Sequence, residues 1–119
     1  MTKEEILAMK AGRELNIRIA EDVMGYKFIE DEIFGDMEGY GNSLYNPLRA
    51  YSEDISVAEH VIDKLKDYNP KVEFNHYTEK WEADFGYGIV STTNAPETIC
   101  KAALLAMVET KGGEESAHR

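Results

Sequence analysis

The feature that most constrains this chain is a change of hydrophobic period along it. In one stretch, apolar and polar residues alternate. Val72, Phe74 and His76 interleave with Lys71, Glu73 and Asn75, and Trp81, Ala83, Phe85 and Tyr87 interleave with Glu82, Asp84 and Gly86. Period two with one wet face predicts a pair of antiparallel strands, turning near Thr78-Glu79. On either side the apolar spacing lengthens to three and four, the helical period. Ala8, Ala11, Leu15, Ile19 and Val23 form one stripe over Thr2–Met24, opened by the capping box Thr2-x-x-Glu5 and stopped by Gly25. Gly12 stands inside that helix at a cost of roughly 1 kcal/mol. Ala58, Val61, Ile62 and Leu65 predict a second helix within Ser52–Asp67, with Ser56-x-x-Glu59 as a capping box and Asn69-Pro70 as its end. Ile99, Ala102, Ala103, Ala106 and Met107, widened by Cys100, Leu104 and Val108, predict a third and most buried helix. It starts at the cap Asn94 and stops at Gly112-Gly113. Tyr26–Ile29 reads as a short strand. Residues 30–51, with Gly35, Gly39, Gly41, Asn42, Ser43 and Pro47, read as a long loop.

Helices and antiparallel strands in this arrangement predict an α+β fold, a three-layer α-β-α sandwich with a small, mostly antiparallel sheet between helices. The chain has 119 residues, enough for one domain with a core that needs no disulfide or metal. That domain is expected over residues 1–112, with 113–119 as a flexible tail. The edges of so small a sheet invite a second copy, so a homo-oligomer is expected.

Charge narrows the function. The formal net charge is −10, which argues against a nucleic-acid backbone as partner. The charge is uneven: residues 27–59 hold only Lys27 and Arg49 against eight acidic residues, a local balance of −6. No apolar run approaches the roughly 20 residues of a membrane helix. The N-terminus is acidic where a signal peptide would be apolar. With a single cysteine, Cys100, these features point to a cytoplasmic protein, made and kept in a reducing cytosol.

No catalytic constellation is visible. His60, His76 and His118 have no zinc-type spacing, so neither metal nor cofactor is expected. The run from Glu30 to Glu38 lacks the alternation of a calcium loop, because Ile33 and Phe34 interrupt it. Cys100 falls on an alanine-rich helical face, where a thiol is inert. Asp54 or Asp84 as a general base would have no evident partner. The aromatic residues carry more information. Tyr45, Tyr51 and Trp81 lie in or beside loops with Arg49, and stacking surfaces with a cation suit a nucleobase-bearing small molecule. The start of the second helix, with Ser52 and Asp54, borders the same region. The ligand-binding residues expected are Tyr45, Arg49, Tyr51, Ser52, Asp54 and Trp81.

Three segments also resemble a known family. They are Met1-Thr2-Lys3-Glu4-Glu5-Ile6-Leu7-Ala8-Met9-Lys10-Ala11-Gly12-Arg13-Glu14-Leu15, Tyr51-Ser52-Glu53-Asp54-Ile55-Ser56, and Ile99-Cys100-Lys101-Ala102-Ala103-Leu104-Leu105-Ala106. In this order they resemble the phage ABA-sandwich domain family, small proteins of phages and prophages of Bacillus and its relatives. The resemblance implies a sheet between helical layers and carries no catalytic residues. The chain departs from the family pattern at Glu59, where relatives often have Trp, and in the middle segment, where tyrosines replace tryptophans. The leading expectation is a non-enzymatic phage accessory protein that sequesters a small nucleotide-derived ligand, such as a host immune signal. The alternative is an acidic module that binds a host protein.

Overall fold

A computed structural model describes the backbone of residues 1–117 and the side chains of residues 1–110. In order, the elements are α1 (Lys3–Ala8), α2 (Arg13–Arg18) with a π-helical turn Ile19–Val23, strands β1 (Lys27–Asp31), β2 (Gly35–Gly39) and β3 (Tyr45–Pro47), helix α3 (Ile55–Lys64), strands β4 (Lys71–Asn75), β5 (Lys80–Asp84) and β6 (Ile89–Thr92), and helix α4 (Ala95–Ala117). The α+β class and the sandwich of helices and sheet are as expected. The strands are divided, however, into two antiparallel sheets, β1-β2-β3 and β4-β5-β6, rather than gathered in one.

Four local expectations change. The first helix ends at Ala8 and resumes at Arg13, where the cap Gly12 has a φ of +138°, outside the reach of ordinary side chains. Gly12 is therefore a hinge between α1 and α2 and not a tolerated interior residue. Residues 35–39 and 45–47 are β2 and β3 rather than loop, and the glycines there serve the hairpins. Gly35 takes a φ of +79° at the end of the first turn. Gly39 lies under the Tyr45 ring, where a Cβ would collide with the ring carbons. The alternating stretch ends at Asp84, and a further strand, β6, follows. The second helix begins at Ile55 with Asp54 as its cap, so the Ser56/Glu59 capping box does not form there.

The other signals hold. Thr2 and Glu5 exchange the two capping-box bonds, each 3.1 Å. Asn94 accepts from the Glu97 amide at 3.2 Å and opens α4. The helix then runs on through Gly112-Gly113 to Ala117. Two glycines weaken a helix by about 1 kcal/mol each without forbidding it. The expected tail over 113–119 lies beyond the residues whose side chains are described.

The core is built around α4. Ile99, Cys100, Ala103, Leu104, Leu105 and Ala106 are wholly or almost wholly buried, and the helix packs against α1, α3, the π turn, β5 and β6. Its alanines let those elements approach closely. The π turn points Ile19, Ala20 and Val23 into the same core. One cation is buried here as well: Lys101 donates to Glu97 at 2.8 Å and to the Leu7 carbonyl at 3.0 Å, tying the end of α1 to α4. Leu104→Ala should lower unfolding free energy by about 2–5 kcal/mol in urea titration, since the cavity left on α4 borders several elements that cannot all collapse into it.

Candidate functional site

The first sheet has two unlike faces. Alternation places Phe28, Glu30, Asp36 and Glu38 toward the helices, and Ile29, Asp31, Met37 and Tyr45 away from them. On the inward face, Glu38 is fully buried. A buried carboxylate needs partners. It accepts from the Tyr40 hydroxyl at 2.7 Å, from the Tyr51 hydroxyl at 2.8 and 3.0 Å, and from the Arg49 amide at 3.1 Å. The Arg49 guanidinium stands 3.7 Å away. Tyr26 closes the cluster, edge-on to Tyr40 at 4.6 Å between centroids.

A second polar cluster adjoins it. Asn16 Oδ1 accepts from the Ser52 amide at 2.8 Å and from Ser52 Oγ at 2.7 Å, while Ser52 Oγ accepts from the Gly12 amide at 2.9 Å. Asn16 in turn donates to Glu53 at 3.0 Å. The corner at residues 49–54 is thus fastened to the sheet by Glu38 and to the α1–α2 hinge by Ser52. Among the described residues, no buried side-chain nitrogen or oxygen lacks a partner.

This geometry redistributes the predicted site. Tyr51 and Ser52 are fully buried, so they hold the fold and present no surface to a ligand. Asp54 is a helix cap, accepting from the Ser56 amide at 2.9 Å. Trp81 stands on the other sheet, edge-to-face with Phe74 at 5.4 Å. Arg49 is partly exposed but turned to Glu38 on the inward face. Tyr45 alone of the six lines a hollow, of about 420 Å³, together with Ile29, Phe34, Met37 and Leu44, with Asp31 and Ser43 as its polar members. Sequence reasoning missed Glu38, the residue that unites Arg49, Tyr40 and Tyr51. Its local signal was faint, an acidic residue two positions before Tyr40 in a segment of glycines and charges. Reading 30–51 as loop concealed it. Among the described residues, no group of three or more His, Cys, Asp or Glu side chains is placed to hold a metal, and no helix is long and apolar enough to cross a membrane.

Burial, and then the bond to Glu38, push the Tyr51 phenol far above its ordinary range, and Tyr40 is raised by the same two causes. A raised phenol keeps its proton in the fold while an unfolded tyrosine loses it near pH ~10. Its stabilisation is therefore complete below that pH and falls as pH rises above it. Tyrosine absorbance titrated against pH should show Tyr51 ionising only together with unfolding. Tyr51→Phe should remove that component and flatten the alkaline loss of stability.

With the geometry established, similarity to other proteins can be placed. The phage ABA sandwich domain family matches residues 17–104. A search of curated proteins returned no match. Among solved structures, a phage protein from Bacillus cereus is 31% identical, with a TM-score of 0.68, over 86% of this chain and 90% of its own. Neither description names an activity. The match over most of the length, together with the shared fold, establishes that this chain belongs to the phage ABA sandwich domain family.

Proposed function

We propose that the chain is a non-enzymatic phage accessory protein that sequesters a small, base-bearing ligand in the hollow beside Tyr45, with nucleotide-derived signals of the host as the ligand class. The observation that carries this reading is the hollow itself. Its volume of about 420 Å³ lies within the roughly 300–1,000 Å³ of small-molecule sites, and its lining joins the aromatic rings of Tyr45 and Phe34 to aliphatic walls and two polar groups. Gly39 supports the platform by letting the Tyr45 ring lie flat across β2. The acidic surroundings set the ligand chemistry. Asp31 in the lining and the neighbouring Glu30 and Glu32 disfavour several exposed phosphates, so the base and sugar carry the contacts.

Calorimetric titration against cyclic dinucleotides and cyclic ADP-ribose isomers tests the reading. A saturable signal that falls at least tenfold in affinity in Tyr45→Ala is expected. Flat traces across the panel with folded protein, or binding unchanged by Tyr45→Ala, would remove it.

One observation favours a second reading, a host-protein partner. Ile33 and Phe34 are 84% and 73% exposed at the tip of the β1–β2 hairpin, with Glu30, Asp31, Glu32 and Asp36 around them. Apolar tips ringed by charge are a common form of protein contact. Capture of a host protein that weakens in Phe34→Ser and in moderate salt would favour this reading over the first.

A further inference from the structure

We propose that a second copy of this chain docks along β1, edge to edge and antiparallel, joining the two first sheets into one six-stranded sheet. β1 is hydrogen-bonded to β2 on one side only. A five-residue strand with an open edge is a template for another strand unless something blocks it. The other edges differ. β3 is three residues long and ends in Pro47, which has no amide to donate. β4 has Glu73 at its centre, so a two-fold pairing sets Glu73 against its own copy. β6 carries no charged residue and offers no charge register.

β1 is self-complementary instead. Its five residues are Lys27, Phe28, Ile29, Glu30 and Asp31. A two-fold axis through Ile29 places Lys27 opposite Asp31 of the second copy, twice, with Ile29 against Ile29 between them. All three side chains lie on the outward face. Lys27 is exposed and makes no ion pair among the described residues. Asp31 spends only Oδ1 on its own turn, accepting from the Ile33 and Phe34 amides at 2.7 and 2.9 Å, which leaves Oδ2 for a lysine. On the inward face, Phe28 meets Glu30 of the second copy. Arg13 already stands over the Phe28 ring at 5.7 Å and 3.5 Å from Glu30 of its own chain, so a cation bridges each such pair. Pairing residues of equal parity keeps the helices of both copies on one side of the joined sheet. The same register brings the exposed Ile33 and Phe34 beside the Tyr26–Lys27 end of the second copy, which gives these apolar side chains a neighbour.

The docking edge shares Ile29, Asp31 and Phe34 with the hollow, and it is tested without any ligand, so its failure is distinct from that of the ligand reading. Light scattering of the unmodified chain at tens of micromolar should give twice the chain mass. Lys27→Asp, a change at an exposed residue, sets like charges opposite and should raise the dimer dissociation constant about tenfold or more with unchanged circular dichroism. In a Cys100→Ala background, Ile29→Cys should cross-link on mild oxidation. Phe28→Cys and Glu30→Cys should each fail alone and cross-link when mixed. A monomeric mass, a dimer indifferent to Lys27→Asp, or equal cross-linking of all three single cysteines would overturn the proposal.

Discussion

The fold depends on burying one carboxylate. Glu38 sits on the inward face of β2 with no exposed surface, and a bare charge there would be strongly unfavourable. Tyr40, Tyr51 and the Arg49 amide and guanidinium surround it. The bonds join residues 11 and 13 positions apart, so they hold the first sheet against the corner that leads into α3. That corner is then held from the other side by Ser52, Asn16 and the Gly12 amide. Two small polar clusters thus replace apolar packing where the first sheet meets the helices. The rest of the core, centred on α4, is ordinary apolar burial.

This arrangement separates structure from function on the first sheet. Among the described residues, every buried polar side-chain atom of the inward face has its partner within the fold. The outward face carries Tyr45, Ile29 and Met37 around an open hollow, and the outer edge carries the charges of β1. The proposed ligand hollow and the proposed docking edge both use the outward side of this sheet, and the polar clusters fix the inward side. The acidic balance of residues 27–59 follows the same division. Glu38 faces the Arg49 guanidinium at 3.7 Å, and Arg13 is shared between Asp36 at 2.7 Å and Glu30 at 3.5 Å, whereas Asp31 and Glu32 at the β1–β2 turn make no ion pair among the described residues.

Much of the fold was legible in the sequence, and the reasons differ by element. Alternation in β4 and β5 was clear because one face is wet. The α4 stripe was clear because nearly every apolar residue on it is buried. The Thr2 and Asn94 caps were readable because their side chains act within a few residues. The break between Ala8 and Arg13 was not, since the bond that anchors it runs from the Gly12 amide to Ser52, forty positions away. The first sheet was hidden because β2 begins and ends in glycine and its one buried inward side chain is charged. Pattern reasoning assigns such a segment to solvent. The candidate site suffered accordingly: Tyr51 and Ser52 stood out as polar loop residues, yet the long-range partners that make them interior are invisible in local spacing. Tyr45 was legible, and its hollow was not.

The central claim, that Glu38 and the tyrosine hydroxyls act as one unit, is tested most directly by a double-mutant cycle. Urea unfolding of the unmodified chain, Glu38→Ala, Tyr51→Phe and the double variant measures their coupling. The account predicts that both single changes destabilise and that the double change costs less than their sum by at least about 1 kcal/mol. Strict additivity, with each change acting as if the other residue were absent, would contradict it.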